Sequence, residues 1–154
     1  MPQETDLAPL AAIAPQLVLV FGAVERMTEN GLVESLKSAF PAAELAGCTT
    51  AGEIGAGGVS DGALVVVALR FSGSRVQLAA TDLADMEDSR AAGQRLGLAL
   101  AAPGLRHVLV LGQGVQINGS ALIEGISEPL GTGVLLSGGL AGDGGAFERT
   151  WTLS

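Results

Sequence analysis

The run LVLVFG, Leu17 to Gly22, is unbroken in apolar character, rich in Val and Leu, and closed by a glycine. Its composition and length read as a strand buried on both faces of a sheet. The next two dozen residues decide the fold. Thr28 stands where a helix N-cap is expected, Leu32, Val33, Leu36 and Phe40 recur at helical spacing, and Pro41 stops the helix. A second strand, 43 to 48, comes next. Strand, helix and strand within about thirty residues make a parallel pair joined by a right-handed crossover.

Working outward, GALVVVALRF (62 to 71) is separated from VQLAATDL by SGSR, a turn-like tetrapeptide, which predicts an antiparallel hairpin. Asp85 is placed to cap a helix running to about Ala101, with Ala92, Leu96 and Leu100 on one face and Pro103-Gly104 beyond its end. The strand HVLVLG, a helix from about Ser120 to Glu128 and the strand GVLLSGG repeat the first pattern, and AFERTWTLS reads as a last strand. The expected class is α/β: a mixed, largely parallel sheet with an antiparallel hairpin, and helices packed on the sheet. Residues 1 to 14, whose short apolar segment is broken by Pro9 and ended by Pro15, are expected to be a tail, and 15 to 154 a single domain.

Composition narrows the function classes. Apolar residues are 48% of the chain and charged ones 16%, which places it among globular proteins. Every apolar run is broken well before the roughly 18 residues of a membrane span. Glu4 and Asp6 stand where an export signal needs positive charge, so the expected location is cytoplasmic. The net charge of −8, with eight scattered Lys and Arg, argues against nucleic acid and against anionic membranes. One cysteine, Cys48, and one histidine, His107, assemble neither a disulfide nor a Cys/His metal site.

Glycine is abundant, 23 residues, and concentrated in three segments, each starting where an apolar run ends. The loops AVERM, CTTAGE, GQGVQING and GGLAGDGG come after strands, and if those strands are parallel neighbours they converge at one edge, where α/β sheets bind ligands. The octet GCTTAGEI, Gly47 to Ile54, carries a thiol, two hydroxyls and a carboxylate. A nucleophile at Cys48 or Thr49 would need a base, and His107 starts its strand roughly 17 Å from that strand's far end. Alternatively the octet is a tight turn, or its backbone N–H groups with Thr49 and Thr50 form a cradle suited to a carboxylate. Neither the Walker A pattern nor a complete GxGxxG is present. Asn118-Gly119 reads as a helix cap and Asp143-Gly144 as a turn needing positive φ. Asp143, or its rival Glu53, would set an anion opposite the cradle, an arrangement suited to a zwitterion such as an amino acid.

Taken in order, LVLVFG, FPAAELAGCTTAGEI, HVLVLGQGVQINGSALIEGI and SGGLAGDGGAFERT resemble the N-terminal domain of the FIST family, intracellular signal-transduction sensors of bacteria and archaea. The resemblance runs from about Pro15 to Thr150. It implies a non-enzymatic input domain for a small ligand, with amino acids the proposed class, coupled to chemotaxis receptors, kinases or cyclic-dinucleotide output modules. By position it carries ligand contact to Cys48, Thr49, Thr50, Gly52, Glu53, Asn118, Gly139, Gly142 and Asp143, with Gly47, Ala51, Gly119, Ala141 and Gly144 completing the motifs. Gln113 departs from it, since the family commonly has Asp there. Family members continue into a second domain, so the input domain alone is expected, with a signalling protein, that domain or a second copy as partner. No cofactor is expected, and haem is the alternative, because a related branch is associated with haem and nitric oxide and His107 is the one imidazole able to serve.

Overall fold

The computed structural model describes residues 4–55 and 57–154. In chain order the elements are α1 (Glu4–Ala11), β1 (Leu17–Gly22), α2 (Val24–Met27), α3 (Leu32–Ala39), β2 (Glu44–Thr49), β3 (Glu53–Gly55), β4 (Gly58–Ser60) and β5 (Leu64–Leu69). They continue with α4 (Ser89–Leu100), β6 (His107–Gly112), α5 (Gly119–Leu130), β7 (Leu135–Leu140) and β8 (Thr152–Leu153). The class is mixed α/β, as expected. β1 and β2 pair in parallel, β5 runs antiparallel on the other edge of β1, and β8 runs antiparallel to β2, giving the order β5-β1-β2-β8. β6 and β7 form a second parallel pair, and β3 and β4 a short hairpin.

Two apolar clusters hold these layers. In the first, Val18 and Val20 of β1 and Leu45 of β2 pack on Leu32, Leu36 and Phe40 from the α3 region and on Leu7 of α1. β1 is therefore fully buried on one face only: Leu17, Leu19 and Phe21, pointing the other way, are half-buried. The expected tail is in part a helix, because Leu7, Leu10 and Ala11 recur at helical spacing and pack against this cluster. In the second cluster, Val108 and Val110 of β6 meet Ala92 of α4 and Leu122 and Ile126 of α5, with Leu96 and Leu100 packed beside them.

The helices α4 and α5 approach so closely at Gly93 and Gly125 that neither position has room for a side chain. A Cβ on Gly93 would lie 2.2 Å from the Leu122 carbonyl oxygen, and one on Gly125 would lie 2.1 Å from that of Arg90. Arg90 also bridges the pair, reaching both Glu124 and Glu128 of α5.

Several boundaries differ from expectation for identifiable reasons. Thr28 closes α2, its hydroxyl donating to the Val24 carbonyl at 2.7 Å, and α3 starts instead after Gly31 at φ +84°. α4 begins at Ser89, because Asp85 forms a turn by accepting the Asp88 N–H at 3.0 Å. VQLAATDL is not a strand, and β5 spends its edge on β1. That segment lies along α4, where Arg95 donates to the Thr81 hydroxyl and the Asp82 carbonyl, and Gln77 donates to the Ala99 carbonyl. Arg95 also grips Asp88 through two hydrogen bonds, at 2.8 and 3.0 Å, which lower the Asp88 carboxyl to a pKa of about 2. Of AFERTWTLS, only Thr152–Leu153 is strand.

Candidate functional site

The ends of β1, β2, β6 and β7 are tied together by backbone hydrogen bonds. Thr50 N–H donates to Gly22 O at 3.0 Å, Gly142 N–H to Thr49 O at 2.8 Å, Gly144 N–H to Thr50 O at 3.3 Å, and Ala141 N–H to Gly112 O at 2.8 Å. The contact of the second and last loops is close, since a Cβ on Gly142 would lie 2.9 Å from the Ala51 nitrogen. The loops that follow these four strands, three of them glycine-bearing, thus meet at one edge, beyond the carboxyl ends of the parallel strands.

The octet supplies the clamps of this edge. Thr49 is fully buried, and it holds the chain end twice: its N–H donates to Trp151 O at 2.9 Å and its hydroxyl accepts the Trp151 N–H at 3.1 Å. Glu53 is buried as well. One carboxylate oxygen accepts the Thr50 hydroxyl at 2.6 Å and the other the Ala63 N–H at 2.8 Å, locking the loop after β2 to the start of β5. Cys48 is buried beside them, and burial pushes its thiol pKa up, which opposes the thiolate a nucleophile requires. Gly52 sits at φ +135° and Ala51 is exposed.

Replacing Thr49 with valine should keep the volume and leave the Trp151 N–H without its acceptor, at a cost of about 1–3 kcal/mol. For a domain of this size that lowers the thermal midpoint by several degrees, and an unchanged melting curve would refute the clamp.

The last loop is built around Asp143. Its carboxylate accepts the N–H groups of Phe147 (2.9 Å), Glu148 (2.7 Å) and Arg149 (3.1 Å), which bends the chain back towards β8 and lowers the Asp143 pKa. Gly144 and Gly145, at φ +69° and +87°, make the turn, as the Asp-Gly pair foretold. Because the folded pKa is depressed, this bracing is complete above the ordinary aspartate value of about 3.9 and is lost as pH falls through the lower folded value. The amide signals of Phe147, Glu148 and Arg149 should therefore titrate together in acid, with a midpoint below that of free aspartate. Separate midpoints would show that the carboxylate does not join them.

Asn118 caps α5, its side-chain oxygen accepting the Ala121 N–H at 3.1 Å, while its own N–H donates to the buried Ser89 hydroxyl at 2.9 Å. Gln113 closes its own loop by donating to the Val115 carbonyl at 2.9 Å. Gly139 stands apart from the clamps, with nothing within 4 Å of where its Cβ would be, beside an apolar cavity of about 350 Å³. Sequence reasoning missed Thr150, whose hydroxyl accepts the Gly114 N–H at 2.8 Å, and Ser89 and Ala63. These partners are far apart in sequence, so no local pattern marks them.

The FIST N domain family matches residues 16–154, essentially the whole chain. The chain belongs to the FIST N domain family. The FIST N domain is a small-ligand sensory domain of signalling proteins. No curated protein matches the sequence.

The residues present do not fit the haem alternative. His107 is exposed at the start of β6 and its Nε2 is hydrogen-bonded to the Ser137 hydroxyl at 2.7 Å, at the end of that strand remote from the glycine loops. Among the described residues of this FIST N domain no group of three or more His, Cys, Asp or Glu is placed to hold a metal ion, and no helix is long and apolar enough to cross a membrane.

Proposed function

We propose that this FIST N domain binds an amino acid or similar small carboxylate at the edge where the glycine loops meet, and passes its occupancy to a signalling partner. The observation that carries the reading is the convergence of four loops at the carboxyl ends of parallel strands, where α/β folds hold their ligands. The roles of individual residues follow from their bonds. Thr49, Glu53, Asn118 and Asp143 set the shape of the edge, since their polar atoms are engaged with the chain itself. The exposed residues Ala51 and Gly52, with half-buried Gly142 packed beside them, are left to meet a carboxylate.

A thermal-shift screen against the common amino acids and small carboxylic acids tests this. A ligand at about 100 times its dissociation constant adds roughly 2.7 kcal/mol to the folded state, a shift of several degrees. Ala51→Asp, which sets a like charge on the exposed part of the edge, should abolish the shift and leave the unliganded midpoint nearly unchanged. A shift that survives Ala51→Asp would move the site elsewhere.

A further inference from the structure

A cation and an anion stand uncommitted at the turn that joins β4 to β5. Arg26 of α2 donates its Nε–H to the Gly62 carbonyl at 3.1 Å, which fixes the guanidinium beside the loop that follows β1. Its two terminal nitrogens have no partner among the described residues. Other arginines that are held in place are engaged differently: Arg90 and Arg95 are paired with carboxylates, and Arg70 binds the chain at the opposite end of β1. Asp61, next to Gly62 in sequence, is exposed, and its Oδ1 lies 3.3 Å from where a Cβ on Gly52 would be. Among the described residues it forms no ion pair, with Arg26 or with any other. Both charges belong to the loop edge, because Thr50 N–H is bound to Gly22 O at the end of β1 and Ala63 N–H to Glu53.

We infer that Arg26 and Asp61 read the two charges of an amino acid, the Arg26 fork receiving its carboxylate beside Ala51 and Gly52, and Asp61 receiving its ammonium. The inference rests on the sensory reading above and narrows its ligand to a zwitterion, against a simple carboxylate. The carboxylates of Glu53 and Asp143 are engaged with the chain, so they add negative charge to the edge without offering a free acceptor. An incoming carboxylate therefore needs a cation to receive it. A guanidinium anchored at Nε presents its terminal nitrogens as a preformed fork for two parallel hydrogen bonds. The charged groups of an α-amino acid sit on one carbon, so their partners must be neighbours without being paired to each other. Arg26, anchored on the residue beside Asp61, meets both conditions.

Removing one ligand charge at a time reads this directly. The common amino acids are titrated by calorimetry against the whole chain, each beside its primary amide, which lacks the carboxylate, and its deaminated acid, which lacks the ammonium; for leucine these are leucinamide and isocaproate. The amino acid that binds should exceed both counterparts by about tenfold or more. Arg26→Gln should erase the advantage over the amide alone, and Asp61→Asn the advantage over the deaminated acid alone, with the unliganded midpoint nearly unchanged in each. Deaminated acids that bind as well as amino acids would overturn the zwitterion and leave a carboxylate site standing. Advantages that survive in the variants, or an equal weakening of all three compounds, would overturn the assignment to Arg26 and Asp61. No binding of any compound would overturn both readings.

Discussion

Leu36→Ala should cost about 2–5 kcal/mol of folding stability, a large fraction of the roughly 5–15 kcal/mol that holds a domain together. Leu36 is wholly buried, in contact with the cluster formed by β1, β2, α1 and α3. Truncation removes its transfer energy and leaves a cavity that the β1–β2 pair, fixed by six parallel register partners, is poorly able to close. Urea unfolding should show the midpoint fall with little change in slope. A loss below about 1 kcal/mol would mean that the first cluster collapses around the gap and is looser than its burial implies.

Gly125→Val should cost about 3 kcal/mol or more, although valine is a better helix former than glycine. The propensity gain is under 1 kcal/mol. Against it, the new Cβ would lie 2.1 Å from Arg90 O and 3.0 Å from the Gln94 nitrogen, backbone atoms that move only if α4 moves. Separating α4 from α5 opens the second cluster, where Ala92 and Ile126 are almost fully buried, so overpacking becomes cavity formation. A variant as stable as the parent would show that the two helices slide past each other freely.

Regular elements with strong periodicity were legible in the sequence. LVLVFG, HVLVLG, the face Ala92, Leu96 and Leu100, and the parallel pairing of each strand–helix–strand unit lie where hydrophobic spacing put them. What misled was chemistry acting across the chain. VQLAATDL alternates well enough for a strand, yet Arg95 and Gln77 fasten it to α4, and a bidentate guanidinium contact has no signature in the local pattern. Thr28 and Asp85 are both good caps by type, and each is used one turn early to close a turn or a short helix. The α1 helix was hidden by Pro9, which alone reads as a breaker. At the candidate site the glycine loops were legible as loops. The use of Thr49 and Glu53 was not, because their partners Trp151 and Ala63 come from segments that only the fold brings near.

Each of the two apolar clusters draws on one uninterrupted stretch of chain: the first on residues up to the end of β5, the second on those from Leu83 to Leu136, with only Leu153 of β8 returning to the first. Between the stretches lies the exposed turn Ser72-Gly73-Ser74. The molecule is in this sense a buckled belt, with the final dozen residues as the tongue and Thr49 as the pin. A protease that nicks the turn should leave two fragments that remain associated under native conditions and part only in denaturant. Expressed as separate genes, the same two pieces should reassemble, which makes this turn the natural place to split the domain into a ligand-dependent reporter.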